Sequence, residues 1–337
     1  MTAAPAPAEP VETLAQSPLR LASRRSALAL TQSRWVAEQV AEQTGRPLEL
    51  VEVVTRGDTD RSSLTVIGGQ GVFVAAVREA LLDGAADLAV HSLKDLPSQP
   101  AEGLALSAVP PREDPRDALV ARDGLTLATL PRGARVGTGS PRRRAQLLDA
   151  RPALTIVDLR GNVDTRLARV LGVGGEGPDL DAVVLAVAGL TRLGRTDVIT
   201  EILDPAIMTP APGQGALAVE TRTESDPDLA TAMAALEHPP TRAAVAAERA
   251  FLATLGTGCT LPVGALGHLE PQAGQPVLHL HAVLATEDGV LVRATRSASP
   301  DRAEALGAEL ATELITEAAA LARPTQGDPP PTHRESP

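Results

Sequence analysis

Apolar and polar positions follow two rhythms along this chain, and the changeovers between them mark its elements. Short apolar or β-branched runs at Leu19–Ser23, Leu48–Val54 and Asp87–His91 predict strands. Between them, Ala27–Thr44 and Val72–Asp83 repeat their apolar positions at helical spacing. Each ends on a glycine, Gly45 and Gly84, the residue that closes a helix without strain. A second set begins near Ala118, with strands at Ala118–Ala121, Arg135–Gly137, Leu154–Asp158 and Ala182–Ala186 and helices opening at Pro141 and Val163. From about Pro240 the rhythm changes to an alanine-rich helix at Arg242–Leu255, strand-like runs at Val277–Leu284 and Val290–Arg296, and a helix at Ala303–Leu321. The expected fold class is α/β: two α/β domains with parallel or mixed sheets, then a smaller C-terminal α+β domain. No repeat of fixed period is present.

Composition narrows the function classes. A chain of 337 residues with 43% apolar and 22% charged positions reads as a soluble protein of two or three domains. The richest apolar segment, Ala182–Leu190, is far too short to span a bilayer. The opening run MTAAPAPAEPVETLAQSP has neither the basic nor the apolar part of a secretory signal and reads as an Ala/Pro arm; the segment from Pro324 reads as a proline-rich tail. Aromatic residues are 1% of the chain (Trp35, Phe73, Phe251), and the net charge is −11. Both oppose nucleic acid as a partner, the first by removing stacking platforms and the second by opposing polyanions. One cysteine rules out an internal disulfide and suits a reducing cytoplasm, and six histidines show no metal-ligand spacing.

Positive charge is nevertheless concentrated. Between Arg132 and Arg169 there are nine arginines and three acidic residues. Ser140 and Pro141 follow a strand and read as an N-cap and first helical residue, which puts Arg142, Arg143 and Arg144 in a first helical turn. Cations there oppose the helix dipole, so the choice points to an anion at that helix end, phosphate or carboxylate; a solvated basic face is the plain alternative. Arg160, Gly161 and Asn162 repeat the arrangement ahead of the helix carrying Arg166. The 31 basic residues include a single lysine, Lys94, just past a strand end and beside Asp95. It marks either a site where a guanidinium does not substitute or a chance survivor, and Asp95 either a turn carboxylate or an acid/base group. Cys259, flanked by glycine on a turn, is either a small buried side chain or a presented nucleophile. Gly68–Gly71 lacks a phosphate-loop signature and reads as a flap.

Taken together, the segments LRLASRRSALALTQ, VVTRGD, GGQGVF, ADLAVHSLKDLP, PREDPRDALV, VGTGSPRRRAQL, LRGNVDTRL, LAVAGLTRLG, PAPGQGALAVE and AERAFLATLGTGC resemble the porphobilinogen deaminase (hydroxymethylbilane synthase) family, in collinear order from about Leu19 to Leu321. The resemblance implies two domains like the lobes of periplasmic solute-binding proteins, over 18–112 with 214–234 and over 116–210, and a third over 239–323, flanked by disordered segments at 1–17 and 324–337. It implies a cytoplasmic monomeric transferase of tetrapyrrole (haem) biosynthesis, with no membrane or nucleic-acid partner. The enzyme condenses four porphobilinogen molecules head to tail into hydroxymethylbilane with release of ammonia.

Residue by residue, the resemblance makes Cys259 the thioether attachment point of a dipyrromethane cofactor and Asp95 the catalytic carboxylate beneath the pyrrole nitrogens. Ser92, Lys94, Thr138, Ser140, Arg142, Arg143, Arg160 and Gly161 match cofactor-holding positions, and Phe73 matches a ring packed against the cofactor. Arg24, Ser26, Arg166, Arg192 and Gln214 match positions around the substrate or growing chain. The chemistry is consistent, since each porphobilinogen carries an acetate and a propionate that arginines pair, and a fixed carboxylate stabilises the cation left when ammonia departs. The chain departs from the family's usual pattern at Gln70, where a basic residue is common, at Gly139 and Pro141, and in an insertion-like run at 172–177. The alternative is a two-lobed binding protein for a small anionic solute, which has no reason to present Cys259 or Asp95.

Overall fold

The structure is a computed structural model and describes residues 17–53, 72–172, 177–256, 262–272, 274–286 and 288–321. The expected tails, the flap with Gln70, residues 173–176 of the insertion-like run, and Cys259 lie outside the described residues.

The chain opens with β1 (Leu19–Arg24), α1 (Ala27–Thr44), β2 (Leu48–Val53), α2 (Val72–Leu82), β3 (Leu88–Ser92) and β4 (Leu104–Ala108). It continues through β5 (Asp117–Ala121), β6 (Arg135–Gly137), α3 (Pro141–Ala150), β7 (Thr155–Val157), α4 (Val163–Leu171), β8 (Ala182–Ala186), α5 (Val187–Arg192) and β9 (Glu201–Ile202). The last part is β10 (Leu217–Arg222), α6 (Pro227–Leu236), α7 (Pro239–Thr254), β11 (Val263–Gln272), β12 (Gln275–Ala285), β13 (Leu291–Ala298) and α8 (Ala303–Leu321). No helix among the described residues is long and apolar enough to cross a membrane.

These strands form three sheets, and the first two share one plan. Their orders are β2-β1-β3-β10-β4 and β7-β6-β8-β5-β9. In each, three parallel strands are followed by an antiparallel one, β10 or β5. That antiparallel strand is the one by which the chain arrives from the other sheet: β4 leads into β5, and β9 leads back into β10. Two crossings therefore join the two α/β domains. The third sheet is an antiparallel meander, β11-β12-β13, whose inner face (Ala265, Leu278, Leu280, Ala282) packs on Phe251 of α7 and Leu310 and Leu314 of α8. The expected fold class, two α/β domains and a smaller α+β domain, is the one observed.

Locally determined elements match their expected positions. Ser26 caps α1 by accepting from the Ala29 amide, and Gly45 ends it in the left-handed conformation at φ 65°. Two long elements of the third domain differ from expectation. Helix α7 starts at Pro239 rather than Arg242, because His238 caps it by accepting from the Thr241 amide and makes the two prolines a helix start. The strand β11, VGALGHLEPQ, has the composition of a loop. Its glycines serve close backbone approach: a Cβ on Gly264 would lie 2.7 Å from the Thr209 carbonyl, and one on Gly267 2.8 Å from that of Ala244.

The crossings meet the third domain at one carboxylate. Glu248 of α7 has no exposed surface. It accepts from both ends of the Arg112 guanidinium at 2.6 and 3.1 Å, from the Gly213 amide at 2.6 Å and from the Gly267 amide at 2.8 Å. Arg112 belongs to the first crossing, Gly213 to the second and Gly267 to the third sheet. Removing one member of a buried pair leaves an uncompensated charge, which costs about 3–5 kcal/mol. Glu248→Ala should show that loss in urea unfolding, and Arg112→Met/Glu248→Met should lose less than either single change; additive losses would show that the pair acts as two independent contacts.

Candidate functional site

The candidate site forms where the first two sheets meet, starting from the end of β3. Beyond Ser92 the chain makes one 3-10 turn, Leu93–Asp95, held by the buried side chains of Leu93 and Leu96 and by the Leu93 amide donating to the Ala216 carbonyl at 3.0 Å. With the leucines turned inward, Lys94 is half-buried and Asp95 is exposed. Ser92 hydrogen-bonds the side-chain amide of Gln32 on α1 at 3.0 Å.

The second sheet supplies the cations. At the end of β6, Thr138 is buried, and Ser140 caps α3 by accepting from the Arg143 amide, with Pro141 at the first helical position. Gly139 is required here, because a Cβ would lie 2.7 Å from the Leu159 carbonyl. Arg142 and Arg143 are only 5% and 6% exposed, so they do not form a solvated face; Arg144 is exposed. Their counter-charge is Asp117, at the start of β5 and 0% exposed. Arg142 Nη1 lies 2.8 Å from one carboxylate oxygen and also donates to the Thr209 carbonyl at 2.6 Å. Arg143 donates to the other oxygen at 2.6 Å and to the Val184 carbonyl at 2.9 Å. Gln214, from the second crossing, donates its amide to the same carboxylate at 2.8 Å. Burial alone would raise the Asp117 pKa, but the two guanidiniums outweigh it and hold the carboxyl well below the usual range.

This cluster reaches across to the 3-10 turn. Burial lowers the Lys94 pKa, Asp95 and Asp117 act to raise it, and Arg143 and Arg142 act to lower it. Arg166 of α4 donates to the Gly161 carbonyl at 2.9 Å, and its pKa is lowered by burial and by the charge of Arg143. Lys94, Arg142, Arg143, Arg166 and Gln214, expected at the site, thus share one electrostatic neighbourhood around Asp117.

The other expected residues sit around it. Arg160 and Gly161 are exposed at the end of β7, with Arg160 3.7 Å from Asp158. Arg24 ends β1 and is half-buried, two residues before the α1 cap Ser26. Arg192, at the end of α5, donates to the Gly215 carbonyl at 2.7 Å. Phe73 falls in the first turn of α2, and its side chain lies outside the described residues. Sequence reading passed over Asp117, Glu220 and Glu248. All three stand inside quoted motifs, PREDPRDALV, PAPGQGALAVE and AERAFLATLGTGC, but neither charge pattern nor hydropathy marks them as buried.

Two similar sheets joined by two crossings, with a cation-rich cluster at their junction and a third domain locked to the crossings, define a two-lobed α/β architecture built to hold a multiply charged anion. The comparisons with known proteins narrow this. Residues 19–230 match the family described as "Porphobilinogen deaminase, dipyromethane cofactor binding domain" and residues 242–316 match "Porphobilinogen deaminase, C-terminal domain". The chain belongs to the porphobilinogen deaminase family. It is 52% identical over 322 residues to the porphobilinogen deaminase of Cutibacterium acnes, covering 90% of this chain and 96% of that protein. It is also 52% identical over 318 residues to porphobilinogen deaminase 1 of Streptomyces coelicolor, covering 91% and 98%. Among solved structures, a periplasmic substrate-binding protein of an ABC transporter from Coxiella burnetii is similar over 68% of this chain and 96% of that chain, at 15% identity and a TM-score of 0.42.

Beside the turn lies a second buried carboxylate. Glu220 of β10 accepts two hydrogen bonds from Arg78 at 3.0 and 2.7 Å and lies 3.1 Å from His91 Nε2 on β3. Burial raises its pKa, but His91 and Arg78 more than offset this and bring it to about 2, from 4.5. A depressed carboxylate contributes stability that is complete above the unfolded pKa and is lost as pH falls through the folded one. The stability difference between the parent protein and Glu220→Gln should therefore shrink by about 3 kcal/mol as pH falls from about 4.5 to 2. Urea unfolding at a series of pH values measures it, and a pH-independent difference would show that Glu220 does not titrate in this window.

Proposed function

We propose that this chain condenses four porphobilinogen molecules head to tail into hydroxymethylbilane with release of ammonia, on a dipyrromethane bound through Cys259. It acts as a monomer in the cytoplasm. The observation that carries this reading is the junction cluster: Arg142 and Arg143 share the one buried carboxylate Asp117, with Lys94 and Arg166 in the same electrostatic neighbourhood. Two guanidiniums on one carboxylate leave positive charge for carboxylates brought in from outside. Gln214 adds a buried Oε1 acceptor with no hydrogen-bond partner among the described residues, a polar atom to which a ring N–H is the complement.

This donor set fits a dipyrromethane, which carries several carboxylates and two pyrrole N–H groups. Lys94, Arg142, Arg143 and Arg160 are the residues to hold its carboxylates, with Ser92, Thr138, Ser140 and Gly161 lining the strand ends around them. When bound, the dipyrromethane supplies the ring carbon to which the first substrate unit is joined. Arg24, Ser26, Arg166, Arg192 and Gln214 orient the acidic side arms of the incoming unit, and Phe73 contributes an apolar wall. Asp95 is exposed on the turn beside Lys94, so it supplies a negative charge opposite the cation left by departing ammonia and accepts the proton released by the attacking ring. The relatives' names favour this reading over a binding protein for an anionic solute.

Intact mass spectrometry tests the proposal. The purified protein should weigh more than its polypeptide by two linked pyrrole units, and Cys259→Ala should lose that increment; a bare polypeptide mass in an active preparation would overturn the assignment. For Asp95→Asn, thermal unfolding should stay within a few degrees of the parent because the side chain is exposed, while turnover falls by about 10²–10³-fold or more. A rate within a few-fold of the parent's would remove Asp95 from the chemistry.

A further inference from the structure

We infer that Arg249 is a positioning residue for Asp95, tying the catalytic turn to the helix that leads toward Cys259; this rests on the role proposed above for Asp95. Arg249 sits on α7 and reaches into the first domain. It donates to the carbonyls of Leu96 at 3.2 Å, Pro97 at 2.8 Å and Ser98 at 3.2 Å, the three residues that follow Asp95. The turn before this segment closes with the Leu96 amide on the Leu93 carbonyl at 3.1 Å and is anchored by the Leu93 amide on Ala216, but Pro97 has no N–H to donate. These three carbonyls lie just past the 3-10 turn, and one planar guanidinium fills them together.

The contact belongs to a face of α7 rather than to one long side chain. Val245, one helical turn earlier, packs with Leu93 and Leu96 in a shared apolar cluster. Glu248, next to Arg249, binds the Gly213 amide, and Gly213 is pressed so closely on the turn that a Cβ there would lie 3.1 Å from the Lys94 backbone nitrogen and 3.2 Å from the Leu93 side chain. The turn is therefore braced by Val245 and Arg249 directly and by Glu248 through Gly213. Helix α7 ends at Thr254, five residues before Cys259. The element leading to the attachment point is thus the element that sets where Asp95 stands. Arg249 is half-buried beside the charges of Glu220, Arg78 and Arg242, a mixed set that holds the guanidinium without neutralising it.

The test compares Arg249→Met, which keeps the apolar stem, with Arg249→Lys, which keeps the charge but offers one nitrogen. In the full-length protein, Arg249→Met should retain the added pyrrole mass. Its kcat should fall by about 10–100-fold with KM within about two-fold, and Arg249→Lys should recover part of the loss. A readout independent of turnover is hydrogen exchange, in which the Leu93, Leu96 and Ser98 amides should exchange about ten-fold faster in Arg249→Met while β12 amides stay unchanged. Parental kcat together with parental exchange at these amides overturns the inference. A loss of stability with kcat per loaded enzyme unchanged also overturns it, because Arg249 would then only join domains. Asp95→Asn assayed alongside separates the two readings. If that variant is active, the role of Asp95 fails; if it is inactive while Arg249→Met is normal, only the positioning role fails.

Discussion

A carboxylate with no path to water keeps its charge only if the chain supplies donors for it, and Glu248 draws its donors from three parts of the fold. The Arg112 fork comes from the crossing that leaves the first sheet, the Gly213 amide from the crossing that returns, and the Gly267 amide from the third sheet. None can withdraw without stranding a buried charge, so the crossings are held to α7 and to each other. Gln214 follows Gly213 directly and Asp117 lies five residues after Arg112, so fixing the crossings also fixes where the Asp117 cluster forms. Arg112 adds a bond from its Nε to the Gln214 carbonyl at 2.8 Å, which ties that register further.

The Asp117 cluster explains an apparent conflict in helix α3. Two arginines in a first turn face the positive end of the helix dipole and should weaken it. They are retained because their guanidiniums turn away from the axis onto a carboxylate in β5, and that carboxylate cannot satisfy both in full. One negative charge between Arg142 and Arg143 leaves positive potential that falls on Lys94 and Arg166: burial lowers both their pKa values, and the neighbouring arginines lower them further. The local helix cost is offset by a field that an incoming polycarboxylate can use.

What could be read in the sequence was what neighbouring residues decide. Gly45 closing α1, Ser140 and Pro141 opening α3, and Asn162 opening α4 act within a few residues, so their positions followed from the residues themselves. The strand β10 was harder, because LAVETR buries Glu220 and Thr221 against Arg78, His91 and Ser107, and polar residues in a strand look solvent-facing until their distant partners are known. β11 was hidden for a related reason, since its glycines are explained only by the Thr209 and Ala244 backbones that press on them. At the site, the basic concentration and the lone lysine were visible as composition. Asp117, which organises them, was not, since its role depends on sequence separations of 26 residues to Arg143 and 97 to Gln214.

The use of arginine elsewhere shows why the single lysine stands where it does. In the described structure arginines repeatedly act through several nitrogens at once: Arg78 on Glu220, Arg112 on Glu248, Arg242 on Glu237, Arg222 on the Leu81 and Ala86 carbonyls and on Asp87, and Arg151 on the carbonyls of Leu127, Ala128 and Leu130. An ammonium offers one nitrogen and cannot replace a fork that clamps a loop or spans a carboxylate. Lys94 sits beside Asp95, with burial and two arginines acting to weaken its hold on a proton and two carboxylates acting to strengthen it. Arg142, Arg143 and Arg166 keep their charge throughout the range in which proteins work. Lys94 adds to them a compact point charge, placed next to the carboxylate proposed to handle protons.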